Sequence, residues 1–545
     1  MKRTVLLFLL PLLLAVPGCN TAPKTTECIN PLTYTDIPDN DWIRVGEDYY
    51  MVSTTMYFCP GAPIMHSKDL VHWRIVNYVY DYLADDDIYN LRNGRNAYGK
   101  GQWATSLRHR DGVFYALFSS NDQGKTYVYK TTDIENGKWQ QTILDRHFHD
   151  ASLLFEDDRV FLVWGNGDLQ ITELKNDLSG VKEGGVDQLL ISAPKEGYNL
   201  RAEGSHFYHI GDYYYVIEID WPSGGVRTES CWRSKELLGK YERKVILSGE
   251  FDGRGDGVAQ GGIIETQHGD WYAIMFQDHG AVGRIPTLQP VTWVDEWPIL
   301  GDNTVPVKQF SVNLPEFGEN YVWAGDEFDY VSNNDLALVW QWNHKPENSL
   351  WSLTDRPGWL RLTTGQLATD IMDARNTLTQ RTVGPKCQSE VMMDASGMKP
   401  GDFAGICAFQ SNYGQIGVVV AEDGSKSLQA FTRIPPQRRF RRNADPDEPQ
   451  PVETRTQLLN IPLQSNQVWL RIKYVFTPVT ESDGEADKAY MSYSLDGQNW
   501  TDVEGSLQMR YTLDLFTGYR TVLYNYATMA PGGYADFDYF HQNIL

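Results

Sequence analysis

Basic residues are scarce in this 545-residue chain: 48 lysines and arginines stand against 71 aspartates and glutamates, leaving a formal charge of −23 at pH 7. Nucleic acid and anionic membrane surfaces repel a protein so charged, and a neutral partner fits better. Cysteine is scarcer still, six in all, with no CxxC spacing and no Cys/His cluster, which argues against zinc sites. Of Cys28, Cys59, Cys231, Cys387 and Cys407, only Cys387 and Cys407 fall where one domain would bring them together, and buried free thiols are the simpler reading of the set. Helical periodicity is almost missing after residue 40. Short alternating or aromatic runs broken by Gly, Asn and Asp turns take its place, so the chain reads as all-β.

The amino terminus has a basic start, Lys2 and Arg3, then an apolar run from Val5 to Val16 that is too short to span a membrane, then Pro17-Gly18-Cys19. This predicts an export signal over residues 1–19. The small residue before Cys19 resembles the lipobox of bacterial lipoproteins, which implies lipidation of Cys19 and a tether over 20–27. The expected location is the periplasm or cell surface, anchored by lipid to the outer membrane of a Gram-negative bacterium.

One phrase, a Gly/Asp turn running into an aromatic strand, occurs five times: Gly46–Tyr50, Asp111–Tyr115, Asp157–Phe161, Gly211–Tyr215 and Gly269–Tyr272. The spacing suits one four-stranded propeller blade per copy. Counting back seven to nine residues from each copy lands on Asp39, Trp103, Asp150, Glu203 and Gln260 in turn. If each blade begins with its innermost strand, these side chains converge on one axis, and three acids, an indole and an amide there read as a carbohydrate pocket. With 17 Trp and 31 Tyr the chain has many flat faces on which sugars stack, although most such rings in β proteins fill cores.

A chain this long exceeds one hydrophobic core. The repeat fails near Ile299–Gly325 among prolines, glycines and asparagines, so the expected organisation is a five-bladed β-propeller over 28–300, a linker over 301–325 and a β-sandwich over 326–545. Strand-like runs at Ile416–Val420 and Trp469–Tyr474 and an Asp496-Gly497 hairpin turn support the second module. The segment Arg438–Arg442, followed by Asp445, Asp447 and Glu448, reads as a solvated loop.

Cleaving a glycosidic bond takes one carboxyl group to protonate the leaving oxygen and another to activate water or attack carbon, and a third acid near the donor would help hold its proton. The pocket offers three. The segments Asn30-Pro31, Ile37-Pro38-Asp39, Ile43–Tyr50, Pro60-Gly61 and His66–Leu70 with Trp73 closely resemble the opening of glycoside hydrolase family 43. Trp103-Ala104, His149–Ser152, Arg201–His206 and Gly283-Arg284 with Trp293 and Trp297-Pro298 continue the resemblance in order. It implies a five-bladed propeller and an inverting hydrolase in which Asp39 is the general base, Asp150 the carboxylate that tunes the donor and orients substrate, and Glu203 the general acid. It also implies that Trp103, Gln260 and Arg284 contact substrate. The family's Trp-Ala-Pro is Trp103-Ala104-Thr105 here, and Gln260 stands where many members carry a central histidine, sometimes beside calcium, which weakens the case for that ion.

The second module is similar to the concanavalin-like sandwich of the family's xylosidases and arabinofuranosidases, through Trp340–His344, Trp351–Leu353, Arg356–Gly358, Ala374–Arg381 and Asp536–Phe540. In such enzymes a sandwich loop can help close the pocket. Asp326, Glu327 and Asp538 offer oxygen ligands for a structural calcium, although ordinary surface acids account for them as well. The expected activity is exo-acting release of terminal α-L-arabinofuranosyl residues from plant cell-wall polysaccharide or oligosaccharide. A β-D-xylosidase on the same scaffold and a non-catalytic glycan-binding protein are the alternatives. A sialidase would repeat the Asp-box-like turn seen once at Ser120–Tyr127 and would need an arginine cluster, and the fructan-cleaving enzymes would want an Asn-Asp-Pro-Asn-Gly start that the chain lacks.

Overall fold

The computed structural model describes residues 25–436, 452–476 and 486–545. The signal over 1–19, Cys19, the first part of the tether and the Arg438–Arg442 segment lie outside the described residues. Apart from four single-turn 3₁₀ segments, every element described is a strand.

Five four-stranded antiparallel sheets follow one another along the chain, over residues 41–80, 105–144, 152–192, 198–248 and 259–300. In each, the strands lie in chain order. The first strand of every blade touches the first strand of the next, and the fifth touches the first, so these five strands ring the axis. The recurring turn and aromatic strand of the sequence are the hairpin between first and second strands, as in Ile43 opposite Tyr50 and Leu154 opposite Phe161. The aromatic and branched residues of the second strands fill the wedges between blades.

Among the described residues no strand is exchanged between the first and last blades to close the ring. Instead Thr26–Ile29 pairs with Gln309–Val312, and the chain from Asn30 runs along the fifth blade. Asn30 exchanges side-chain hydrogen bonds of 2.8 Å with the amide and carbonyl of Leu288, Leu32 donates to Pro286 and Ile37 to Arg284. Residues 26–27, expected in the tether, and 309–312, expected in the linker, are therefore paired strands. The clasp lays Asp36–Asp39 beside Arg284 although they are far apart in sequence.

The second module is a sandwich of two large antiparallel sheets. One of them runs in the order 454–462, 426–434, 413–420, 402–409, 520–527, 378–381, 341–343 and ends on Phe58–Cys59, which belongs to the first propeller blade in sequence. Alternation along these strands sends Ala404, Ile406, Ala430 and Leu523 into the sandwich core, while Phe409, Tyr413, Val522 and Tyr524 join Tyr57, Phe58, Tyr80 and Phe118 of the propeller in a second core. The two modules thus share buried apolar surface. Arg520, 4.0 Å from the Phe58 ring centre, is buried there, and burial together with the neighbouring charge of Arg381 pulls it down to about 9. All five cysteines of the described residues are buried free thiols.

Candidate active site

Asp39 and Asp150 stand two residues before the first strands of blades one and three, and Gln260 is the second residue of the first strand of blade five. All three have left-handed backbone conformations, with φ of 50°, 45° and 59°. Such a conformation costs about 1–2 kcal/mol in an ordinary L residue, and aspartate tolerates it better than glutamine. At Gln260 the backbone amide is held by a 2.6 Å hydrogen bond to Glu229, a carboxyl group whose burial pushes it up to about 8. Glu203 lies within its strand, at a break in register with the neighbouring strand. The next residue, Gly204, has φ of 64°, and a Cβ there would sit 2.8 Å from Gln260 Cγ, so only glycine fits between the acid and the amide.

The three acids form one electrostatic unit. Asp150 is pushed up to about 6, first by burial and then by the negative charges of Glu203 and Asp39, against the opposing pull of His149 and the Gly204 amide. His149 Nε2 lies 3.4 Å from Glu203 Oε2 and 3.6 Å from Asp150 Oδ2. Asn166 Nδ2 donates to the same Glu203 oxygen. Burial disfavours a charge on His149, but the hydrogen bond to Glu203 and the charges of Asp150 and Glu203 outweigh it, raising its pKa from 6.5 to about 9. The native protein therefore holds this proton more tightly than the unfolded chain does. The resulting stabilisation is complete below about pH 6.5 and fades as pH rises through about 9. His149→Gln is expected to lower the melting temperature clearly at about pH 6 and hardly at all at about pH 10; a deficit equal at both would show that His149 carries no such charge.

On the opposite side, Arg284 Nη1 pairs with Asp39 Oδ1 at 2.5 Å and its Nε lies 3.3 Å from Asp278. The Arg284 guanidinium is sandwiched between Phe276 and Phe516, 4.7 Å from each ring centre. Phe516 belongs to the sandwich. It also packs on Trp103 with centroids 5.1 Å apart, so a loop of the second module roofs the base of the pocket. Buried Asp36 fixes that loop: one oxygen accepts from the Arg284 amide at 2.8 Å, the other from the Gly518 amide at 2.9 Å. Burial raises the pKa of Asp36, while these two amides, Arg520 and Arg381 act against the rise.

Beneath the acids the axis narrows and is lined by Asp41, Ser106, Ser205 and His206. Asp41 accepts from Arg108 at 2.6 Å and the Leu107 amide at 2.8 Å, and lies 3.2 Å from His206. Burial alone would raise its pKa; Arg108 and His206 outweigh that and hold it at about 2. This ion-paired floor ties blades one, two and four together.

Exposure falls steadily across the pocket. The side chains of His149 and Glu203 are 31% and 22% exposed, those of Asp150 and Asp39 only 9% and 5%. The site opens on the Glu203 side and closes on the Asp39 side. Asp39, Asp150, Glu203, Gln260, Arg284 and Trp103, singled out from the sequence, are brought together around the axis. His149, Asn166, Asp278, Asp36 and Phe516 were missed as site residues. His149 was within reach as the neighbour of Asp150, whereas Phe516 carries no sequence signal, being packed on residues hundreds of positions away.

The acids considered for calcium are not assembled as a ligand set. Asp326 accepts from the Phe328 amide at 2.8 Å and from Tyr330 Oη and Trp340 Nε1 at 2.7 Å each, and Glu327 pairs with His541 at 2.7 Å. Among the described residues, the one group of three suited to hold an ion is His149, Asp150 and Glu203.

Compared with known proteins, residues 28–298 match the profile of glycosyl hydrolases family 43, and residues 325–543 that of the beta xylosidase C-terminal concanavalin A-like domain. A beta-xylosidase of Formosa agariphila is 27% identical over 94% of this chain and 89% of its own. A non-reducing end alpha-L-arabinofuranosidase of Bacteroides ovatus is 31% identical over 66% of this chain and 69% of its own. Among solved structures, a bifunctional GH43-CE protein of Bacteroides eggerthii superposes with a TM-score of 0.85 at 42% identity, over 96% of this chain and 64% of that one.

Proposed function

The chain belongs to glycosyl hydrolases family 43 and is a glycoside hydrolase, and from that premise we propose that it releases terminal α-L-arabinofuranosyl residues from plant polysaccharides or their fragments, with inversion at the anomeric carbon. The observation that carries exo action is the one-sided pocket. A terminal sugar fits where Trp103, Phe516 and Arg284 close the site, and the rest of the substrate leaves past the exposed Glu203 and His149.

In this reading Asp39 takes a proton from a water as the water oxygen bonds to the anomeric carbon, while Glu203 gives its proton to the departing glycosidic oxygen. Turnover leaves Asp39 protonated and Glu203 ionised, an exchange that solvent reverses. Asp39 is oriented by its ion pair with Arg284. His149 and Asn166 both approach Oε2 of Glu203, which leaves Oε1 for the transferable proton. Asp150, with Gln260, lines the sugar position and orients the substrate. Two carboxyl groups and a water account for every bond made and broken, so no cofactor is needed; loss of turnover on chelation would count against this. Proton NMR of the first product formed is expected to show the inverted anomer, and a retained anomer would mean that Asp39 attacks carbon itself.

The name of the F. agariphila relative, which aligns along nearly the whole chain, supports β-D-xylosidase as the second reading. Aryl α-L-arabinofuranosides and aryl β-D-xylosides offered side by side decide between them by which sugar is released. The signal over residues 1–19 supports export with an anchor at Cys19. Cys19→Ser should then move the protein from the detergent-extracted membrane fraction to the soluble one.

A further inference from the structure

Arg381 and Arg520 are direct partners on neighbouring strands of the sandwich sheet that shares a core with the propeller. Both side chains point toward the propeller: the Arg520 guanidinium lies over the Phe58 ring, and Arg381 gives its Nε to the Asp36 carbonyl at 3.1 Å. Each is only 2% exposed. Among the described residues neither has a carboxylate at ion-pair distance, whereas Arg108, Arg243 and Arg284, which are also enclosed, each pair with an aspartate.

Two cations directly opposite one another across a sheet repel, and a charge taken out of water without a counter-charge is among the costliest things a fold can bury. The acid whose charge reaches both arginines is Asp36. Its two oxygens are taken by the amides of Arg284 and Gly518, not by either guanidinium. Fully ionised, Asp36 would offset one arginine of the two, and burial pushes its carboxyl toward the neutral form. The tyrosines alongside, Tyr57 and Tyr78, are held neutral by burial and supply no charge. At least one positive charge therefore stays unmatched in a closed interior.

The hydrogen bonds point the same way. Arg381 Nη1 is buried without a partner, and so is Oγ1 of Thr379, two residues away on the same face of the strand. Gln341 Oε1, an acceptor within reach, is already taken by Arg520 Nη1 at 2.9 Å. A water could accept from the spare donors but would leave the charge unmatched; an anion answers both. Enclosure sets its size, because donors shut off from solvent can be served only by something trapped as the two modules close on each other, and a single ion is small enough. Charge sets its valence, because a divalent anion would overshoot whenever Asp36 is ionised.

We propose that a halide ion, chloride under ordinary conditions, is bound between Arg381 and Arg520 and pins the sandwich to the propeller. Its influence extends toward the pocket, since Arg381 also holds the Asp36 carbonyl and Asp36 ties the loop that carries Phe516 to Arg284. The ion touches none of the acids that act on the sugar, and its presence is independent of which sugar the enzyme releases.

Crystals of the full chain grown in sodium bromide, with diffraction recorded at the bromine absorption edge, test this directly. An anomalous peak between the two guanidinium groups is expected, and a map without one there would overturn the proposal. In solution, replacing gluconate by chloride at constant ionic strength should raise the melting temperature of the unaltered chain by about 3 °C more than that of Arg520→Gln, as an ion that binds only the folded state must do. Equal salt responses of the two proteins would also overturn it. Should Arg520→Gln fail to fold, the bromide map of the unaltered protein still decides. A protein that holds bromide there but cleaves neither arabinosides nor xylosides would keep the ion site and lose the proposed activity; full turnover with an empty bromide map would do the reverse.

Discussion

Glu203→Gln is expected to slow hydrolysis of natural glycosides by roughly 10²–10⁴-fold while affecting aryl glycosides with good leaving groups far less. Glutamine keeps the shape of the side chain and the approaches of His149 and Asn166 but has no transferable proton. An alkoxide leaves poorly without that proton; a nitrophenolate does not need it. Asp39→Asn, by contrast, should disable both kinds of substrate alike, because each still requires an activated water, and it also breaks the buried pair with Arg284. Steady-state kinetics of both variants on one natural and one activated substrate separate the roles. Equal losses for the two variants on the activated substrate would mean that the two roles are wrongly assigned, and a parent that binds arabinosides or xylosides without turnover would mean that the three acids serve binding only.

A chain ended after Gly325 should lose turnover by about 10²-fold or more, although all three acids remain, since displacements near 1 Å at a catalytic centre already have effects of that size. Three losses act together. The strand Phe58–Cys59 is left without its partner at 341–343. Tyr57, Phe58, Tyr80 and Phe118 lose the sandwich side of their shared core, opening an apolar surface that invites aggregation. Arg284 loses the Phe516 ring, and the Asp36 carboxylate loses the Gly518 amide. Phe516→Ala isolates the last effect: the fold should survive, since the ring is only half-buried, while KM for an aryl glycoside rises. A truncated propeller with full kcat and KM would show that the sandwich is merely appended.

The blade count, the first strand of each blade and the convergence of Asp39, Asp150, Glu203 and Gln260 were all legible in the amino-acid order. Each follows from local chemistry: a Gly/Asp turn, an aromatic second strand and a fixed offset back to the residue that enters the ring. Local chemistry could not say that the amino-terminal segment clasps the fifth blade, pairing Thr26–Ile29 with Gln309–Val312 and setting Asp39 against Arg284. Nor could it show that Phe58–Cys59 completes a sandwich sheet, or that Phe516 roofs the pocket. Such contacts join segments hundreds of residues apart through packing that leaves no period in the sequence. The charge state of the site is of the same kind: the shifts of Asp150, His149 and Asp36 arise from burial and from neighbours on other blades or on the second module. The sequence by itself determined which residues point at the axis, because that depends on turns and strand alternation; only the tertiary structure decided which side of the pocket is open and what closes the other, because that depends on which surfaces the two modules bury against each other.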